Sequence, residues 1–197
     1  MKRIFIAVKV NPEGELLRMF SSLKAILAAE NIKWVEAANI HLTLAFLGDT
    51  DEKRIRVLNR MLSDTCIGFG EFDFNLTGTG VFKNFRDPRV LWVGIQSVGR
   101  LIQLNNIIAE GLKLNVFETE EREFKPHLTL GRVKSLRDTE NLKILLESYR
   151  DVQFQIVQVS EVILYESILM QNGPIYKPLG IYRISAGADL TSSSSFR

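Results

Sequence analysis

Apolar positions in this chain recur in two rhythms, period two and period three to four, and the rhythms alternate along its length. Phe5–Val10 is a short run rich in β-forming residues and predicts a first strand, bounded by Asn11-Pro12. Asn11 is placed to cap a helix with Pro12 in its first position. Leu16, Leu17, Phe20, Leu23, Ile26 and Leu27 then recur at helical spacing, so Pro12–Glu30 reads as an amphipathic helix. Ile40–Leu47 reads as a strand closed by Gly48-Asp49. Asp49 or Thr50 is the expected cap of the next helix, which carries Ile55, Leu58, Met61 and Leu62. Phe72, Phe74 and Leu76 alternate with polar residues, as in a half-exposed strand, and Gly78-Thr79-Gly80 reads as a turn.

The second half follows the same plan. Val90–Ile95 predicts a strand. Leu101, Leu104, Ile107, Ile108 and Leu112 predict a helix within Ser97–Leu114. Leu128–Val133 predicts a strand and Glu140–Tyr149 a helix. Val152–Leu164 alternates enough for one long strand or two short ones. Ile175–Ile184 reads as a final strand after the turn Asn172-Gly173-Pro174. The stretch from Ala186 to Arg197, with serine at 192 to 195, reads as a flexible tail. Strand–helix–strand thus appears twice, which predicts an α+β fold of two facing lobes whose antiparallel sheets line a cleft. Residues 1–185 form the expected bilobal domain and 186–197 the tail.

Composition narrows the picture modestly. At 197 residues, 46% hydrophobic and 24% charged, the chain matches an ordinary globular domain. A net charge of +2 permits an anionic partner without demanding one, and basic residues are interleaved with acidic ones, as in Asp51–Arg60. The single cysteine, Cys66, lies between Thr65 and Ile67; it reads as a packed thiol and excludes an internal disulfide. No apolar run reaches the ~18 residues of a membrane helix. The opening apolar stretch is too short for a signal peptide, and with one cysteine the cytoplasm is the expected compartment. A monomer is the expected state. No glycine-rich phosphate loop is present, and no cofactor is expected.

Chemistry concentrates in the histidines. The chain has two, and both stand in the string His-Leu-Thr-Leu, at His41–Leu44 and His127–Leu130. Histidine exchanges protons near neutrality. In a strand, His41 and Thr43 share one face and Leu42 and Leu44 the other; the same holds for His127 and Thr129 against Leu128 and Leu130. The leucines can anchor each strand while the imidazoles and hydroxyls line a common site. A neutral imidazole can take a proton from water, a protonated one can give a proton to a leaving oxygen, and two threonine hydroxyls can donate to non-bridging phosphate oxygens. That set suits phosphodiester cleavage without a metal. Strict alternation puts Arg132 on the opposite face from His127, so it needs a strand end, twist or bulge to reach the site. Lys125 has the right parity, although Pro126 disturbs it. Zinc would need three or four protein ligands, and two histidines without a cysteine pair fall short unless a carboxylate completes the set. A triad on Ser167 would consume one of the same histidines.

At these residues the chain resembles the two-histidine phosphoesterase superfamily, marked by two His-x-Thr/Ser-x motifs. Within it the match is to the RNA 2′,3′-cyclic phosphodiesterases, also called 2′-5′ RNA ligases. The likeness extends to Arg3–Val8, Trp34-Val35, Asn39–Gly48, Arg89–Trp92, Phe124–Arg132, Leu164–Ser167 and Gly173–Tyr176, and so runs from about Lys2 to Ile184. It implies a bilobal pseudo-twofold fold and metal-independent opening of a 2′,3′-cyclic phosphate, on RNA ends or nucleotides, to a 2′-phosphate. By resemblance His41 is the general acid on the leaving 3′ oxygen, His127 the general base on water, and Thr43, Thr129 and Arg132 the phosphate ligands. Some members also join RNA ends through a 2′-5′ bond. Phe46, Phe82, Trp92 and Tyr165 are candidates for stacking on a base, and core packing would explain each equally well. A nucleotide-binding module, or a phosphodiesterase for another cyclic phosphate, are the competing readings.

Overall fold

The computed structural model describes residues 1–118, 123–171 and 173–186. Its first strand, β1 (Lys2–Lys9), is buried without interruption from Ile4 to Val8 because both of its faces are covered. Ile4, Ile6 and Val8 enter the main core, while Phe5 and Ala7 join a small separate cluster with Ile163 and Tyr165. Helix α1 (Gly14–Ile26) is shorter than its periodicity predicts. Asn11 does not cap it. Gln155, on a distant strand, ties down the segment that leads into it: its Oε1 accepts from the Glu13 N–H at 3.0 Å, while its Nε2 donates to the Asn11 carbonyl. The chain then leaves the helix to lay β2 (Asn31–Trp34) on a sheet edge, and a 3₁₀ turn, Ala37–Asn39, leads into β3 (His41–Thr50).

Strand β3 runs past the expected stop at Gly48-Asp49, since its ladder with β1 continues to Lys2↔Thr50. The cap of α2 (Glu52–Cys66) is therefore Asp51, whose side chain accepts from the Arg54 N–H, and not Asp49 or Thr50. Ile55, Leu58, Met61 and Leu62 are buried along this helix as predicted. A short β4 (Ile67–Gly68) precedes β5 (Phe72–Asn84). The turn expected at Gly78–Gly80 is instead a bulge within β5. Gly78 has φ +71° and no partner in the ladder to β6 (Asp87–Gln96), and a Cβ there would lie 2.5 Å from the Arg150 carbonyl.

The remaining elements are α3 (Gly99–Leu114), β7 (His127–Ser135), α4 (Thr139–Glu147), β8 (Gln153–Val159), β9 (Glu161–Met170), β10 (Gly173–Arg183) and β11 (Ser185–Ala186). The alternating stretch 152–164 thus divides into two strands. Ala186, assigned from sequence to the tail, pairs with Gly68 in β11; residues 187–197 and Asn172 lie outside the described residues.

Two antiparallel sheets make an α+β fold, in the orders β10-β9-β1-β3 and β2-β7-β6-β5-β8. The halves of the chain are interleaved between them. β2, from the first half, edges the second sheet, and β9 and β10, from the second half, complete the first. Helices cross over too: α1 packs on β8, α4 on β5, α2 on β9 and β10, and α3 on β3. Cys66 sits buried in the core, where burial pushes its thiol up to about 11. Among the described residues no helix is long and apolar enough to cross a membrane.

Candidate active site

Strands β3 and β7 lie against each other and carry the two His-Leu-Thr-Leu strings. Leu42, Leu44, Leu128 and Leu130 are buried in the core, so His41 with Thr43, and His127 with Thr129, are left on the opposite faces. The alternation read from sequence holds this far and then breaks, at the same place in both strands. Ala45 pairs with Ile6 and Thr43 with Ala7, which leaves Leu44 as an extra residue. Gly131 pairs with Leu91 and Thr129 with Trp92, which leaves Leu130 extra. Each fourth residue of the motif is therefore a β-bulge. A bulge shifts parity by one, so Leu130 and Gly131 are buried in succession and Arg132 emerges on the face of His127 and Thr129. The equivalent position in β3 is Phe46.

A bulge leaves a carbonyl outside the ladder, and burying it unpaired would cost about 1–3 kcal/mol. Both carbonyls are satisfied, by different means. The Leu44 carbonyl accepts from Asn105 Nδ2 of α3 at 2.8 Å, and the Asn105 side chain is itself buried. The Leu130 carbonyl accepts from the Val35 backbone N–H at 2.8 Å, just beyond β2.

The imidazoles are held identically. His41 Nδ1 lies 2.7 Å from the Asn39 carbonyl and His127 Nδ1 2.7 Å from the Lys125 carbonyl. A carbonyl only accepts, so each Nδ1 carries the hydrogen and each Nε2 has a free lone pair in the neutral ring. Such a ring takes a proton at Nε2 as a base, and once protonated there gives it back as an acid. Lys125 contributes this carbonyl; its ammonium pairs with Glu123.

Both histidines have pKa values below the ordinary histidine value. For His41 burial is the main cause, the Asn39 carbonyl opposes it, and the charge of His127 adds to it. For His127 burial again leads, the Lys125 carbonyl opposes it, and Arg132 lowers it further. These couplings bring His41, His127 and Arg132 into one electrostatic neighbourhood. Aromatic rings wall the site. Phe5 and Tyr176 pack on His41 at 4.9 and 5.1 Å between ring centroids, and Phe82 meets His127 edge-on at 4.6 Å. Trp92 lies beside Phe82, over Gly80, where a Cβ would overlap the indole ring. A cavity of about 240 Å³ opens beside His41, lined by residues including Lys9, Asn39, Glu161, Tyr165 and Tyr176.

Phe5, Tyr176 and Asn105 do not stand out as site residues in the sequence. Phe5 sits in an all-apolar run, where nothing local tells a cleft face from a core face. Asn105 is a single polar letter in an apolar helix pattern, which was the available signal. Among the described residues no group of three or more His, Cys, Asp or Glu side chains gathers to hold a metal.

Comparison with known proteins gives a consistent result. The family model for LigT like Phosphoesterase matches residues 7–92 and again 93–176, one match per His-Leu-Thr-Leu string. An RNA 2′,3′-cyclic phosphodiesterase of Methanothermobacter thermautotrophicus is 35% identical over 186 residues, covering 92% of this chain and 98% of that one. One from Thermotoga maritima is 36% identical over 179 residues, covering 90% and 92%. Among solved structures, a protein of Thermus thermophilus superposes with TM-score 0.78 at 25% identity, covering 94% of this chain and 99% of that one. E. coli LigT in its apo form superposes with TM-score 0.71 at 25% identity, covering 93% and 98%.

Proposed function

Since this chain belongs to the LigT-like phosphoesterase family, we propose that it opens RNA or nucleotide 2′,3′-cyclic phosphate ends to 2′-phosphates, as an RNA 2′,3′-cyclic phosphodiesterase. The observation that carries this reading is the pair of imidazoles with identically oriented Nδ1 atoms and free Nε2 atoms, each with a threonine on the same strand face. His127 Nε2 takes a proton from water as the water oxygen bonds to phosphorus. The P–O3′ bond breaks, and His41, protonated at Nε2, gives its proton to O3′. The product is a 2′-phosphomonoester with a free 3′-hydroxyl, and exchange with solvent resets both rings. Each transfer contributes roughly 10²–10⁴-fold. Burial and the charge of Arg132 favour the neutral His127 ring a base requires, while the cavity beside His41 suits the ribose that carries both O2′ and O3′, with its base. Thr43, Thr129 and Arg132 hold the non-bridging oxygens. All these residues come from one chain, so a monomer suffices.

The test is incubation with a nucleoside 2′,3′-cyclic phosphate, resolving 2′- from 3′-phosphate products, with the His41→Ala/His127→Ala double variant as control. A 2′-phosphate made by the native protein alone is expected. Formation of the 3′-phosphate would reverse the regiochemistry, and turnover of other cyclic phosphates in its place would reassign the substrate.

A further inference from the structure

The parity shift in β3 has a partner in β1. Arg3, Phe5 and Ala7 share one face of β1, opposite Ile4, Ile6 and Val8. On that face Ala7 pairs with Thr43 and Phe5 with Phe46, so the row running away from the reacting phosphate ends at Arg3. Asp49 stands directly across from Arg3 in the ladder, yet no ion pair joins them among the described residues. The guanidinium instead lies over the Phe46 ring, 5.0 Å from its centroid. Tyr176, in contact with His41, feels the charges of both Arg3 and Arg132, so the cleft receives a cation from each sheet.

Distance separates the roles of the two arginines. Arg132 lies three residues beyond Thr129, shortened by the bulge. Arg3 is four residues along β1 from the Thr43 rung, about 13 Å at ~3.3 Å per residue. An exposed guanidinium at that remove, seated over an aromatic ring, is suited to a second phosphate. Building on the RNA-end reading above, we propose that Arg3, seated on Phe46, binds a backbone phosphate of the RNA strand upstream of the reacting end. It thereby favours an oligonucleotide over a free nucleoside cyclic phosphate.

The experiment measures equilibrium binding of a short oligoribonucleotide ending in a 2′-phosphate, and of the matching nucleoside 2′-phosphate, to native protein and to Arg3→Gln and Arg3→Lys. The preference for the oligonucleotide should fall about tenfold in Arg3→Gln, the loss of one charge-assisted contact. The slope of log affinity against log salt for the oligonucleotide should become shallower by about 0.7, one phosphate's share for a single strand. Arg3→Lys should keep the native slope while recovering only part of the preference, because an ammonium cannot stack as a planar guanidinium does. Equal weakening of both ligands, or an unchanged preference, overturns the proposal. Binding is read apart from turnover, so a protein that binds both ligands but cleaves neither cyclic substrate would count against the catalytic reading and leave the Arg3 result standing.

Discussion

The strands bearing His41 and His127 are the same device in two settings. Letters, bulge and Nδ1 anchor coincide. The surroundings do not. His41 is flanked by Phe5 and Tyr176 and opens on a cavity, whereas His127 meets one ring, Phe82, and the guanidinium of Arg132. The position past the bulge is Phe46 in one strand and Arg132 in the other. A repeated motif therefore supplies two imidazoles with the same Nδ1 anchor in surroundings that differ. His41 lies beside a cavity, whereas the His127 pKa is lowered by burial first and by the charge of Arg132 in addition.

Removing either ring should have the largest effect. His41→Ala and His127→Ala are each expected to lower kcat by roughly 10²–10⁴-fold without unfolding the chain. Their pH profiles should differ. A base must be neutral, so the rate rises with pH through its pKa; an acid must be protonated, so the rate falls through its pKa. Both values lie below the ordinary ~6.5 of histidine, which puts the optimum of kcat/KM in the native protein on the acid side of that value. His127→Ala should remove the acid limb and His41→Ala the alkaline limb. The opposite pattern would exchange the two roles.

A smaller effect is expected at the position where the strands diverge. Arg132→Gln should lower kcat/KM by roughly 10–100-fold, the loss of a charged phosphate contact. It should also raise the His127 pKa, because a neighbouring cation depresses it. Proton NMR of the two imidazoles checks this, and a shift at His41 alone would count against the placement of Arg132.

The smallest effect concerns the bulges themselves. Asn105→Leu leaves the Leu44 carbonyl buried without its donor and should destabilise the fold by about 1–3 kcal/mol in chemical denaturation. The equivalent carbonyl of Leu130 is served by backbone and has no side chain to remove. A stability unchanged within about 0.5 kcal/mol would mean that the β3 bulge does not depend on Asn105.

Local pattern in the sequence determined what depends on neighbours along the chain. Period-two alternation placed His41 with Thr43 and His127 with Thr129, opposite leucines that the core does bury. Helical spacing located the helices, and α2 buries the four residues it named. The identical strings singled out the two histidines, and both carry the same Nδ1 contact to a backbone carbonyl. Tertiary pairing decided the rest. A bulge exists only relative to a partner strand, so the parity of Arg132 could not be read from β7 alone; its ladder to β6 sets it. The segment entering α1 is held by Gln155, far along the chain, and β2, β9 and β10 cross between the sheets. Phe5 and Tyr176 become walls of the site because β1, β9 and β10 bring them beside His41. Periodicity records which face a residue occupies on its own element, while the identity of the opposing surface follows from long-range pairing that single-strand patterns do not encode.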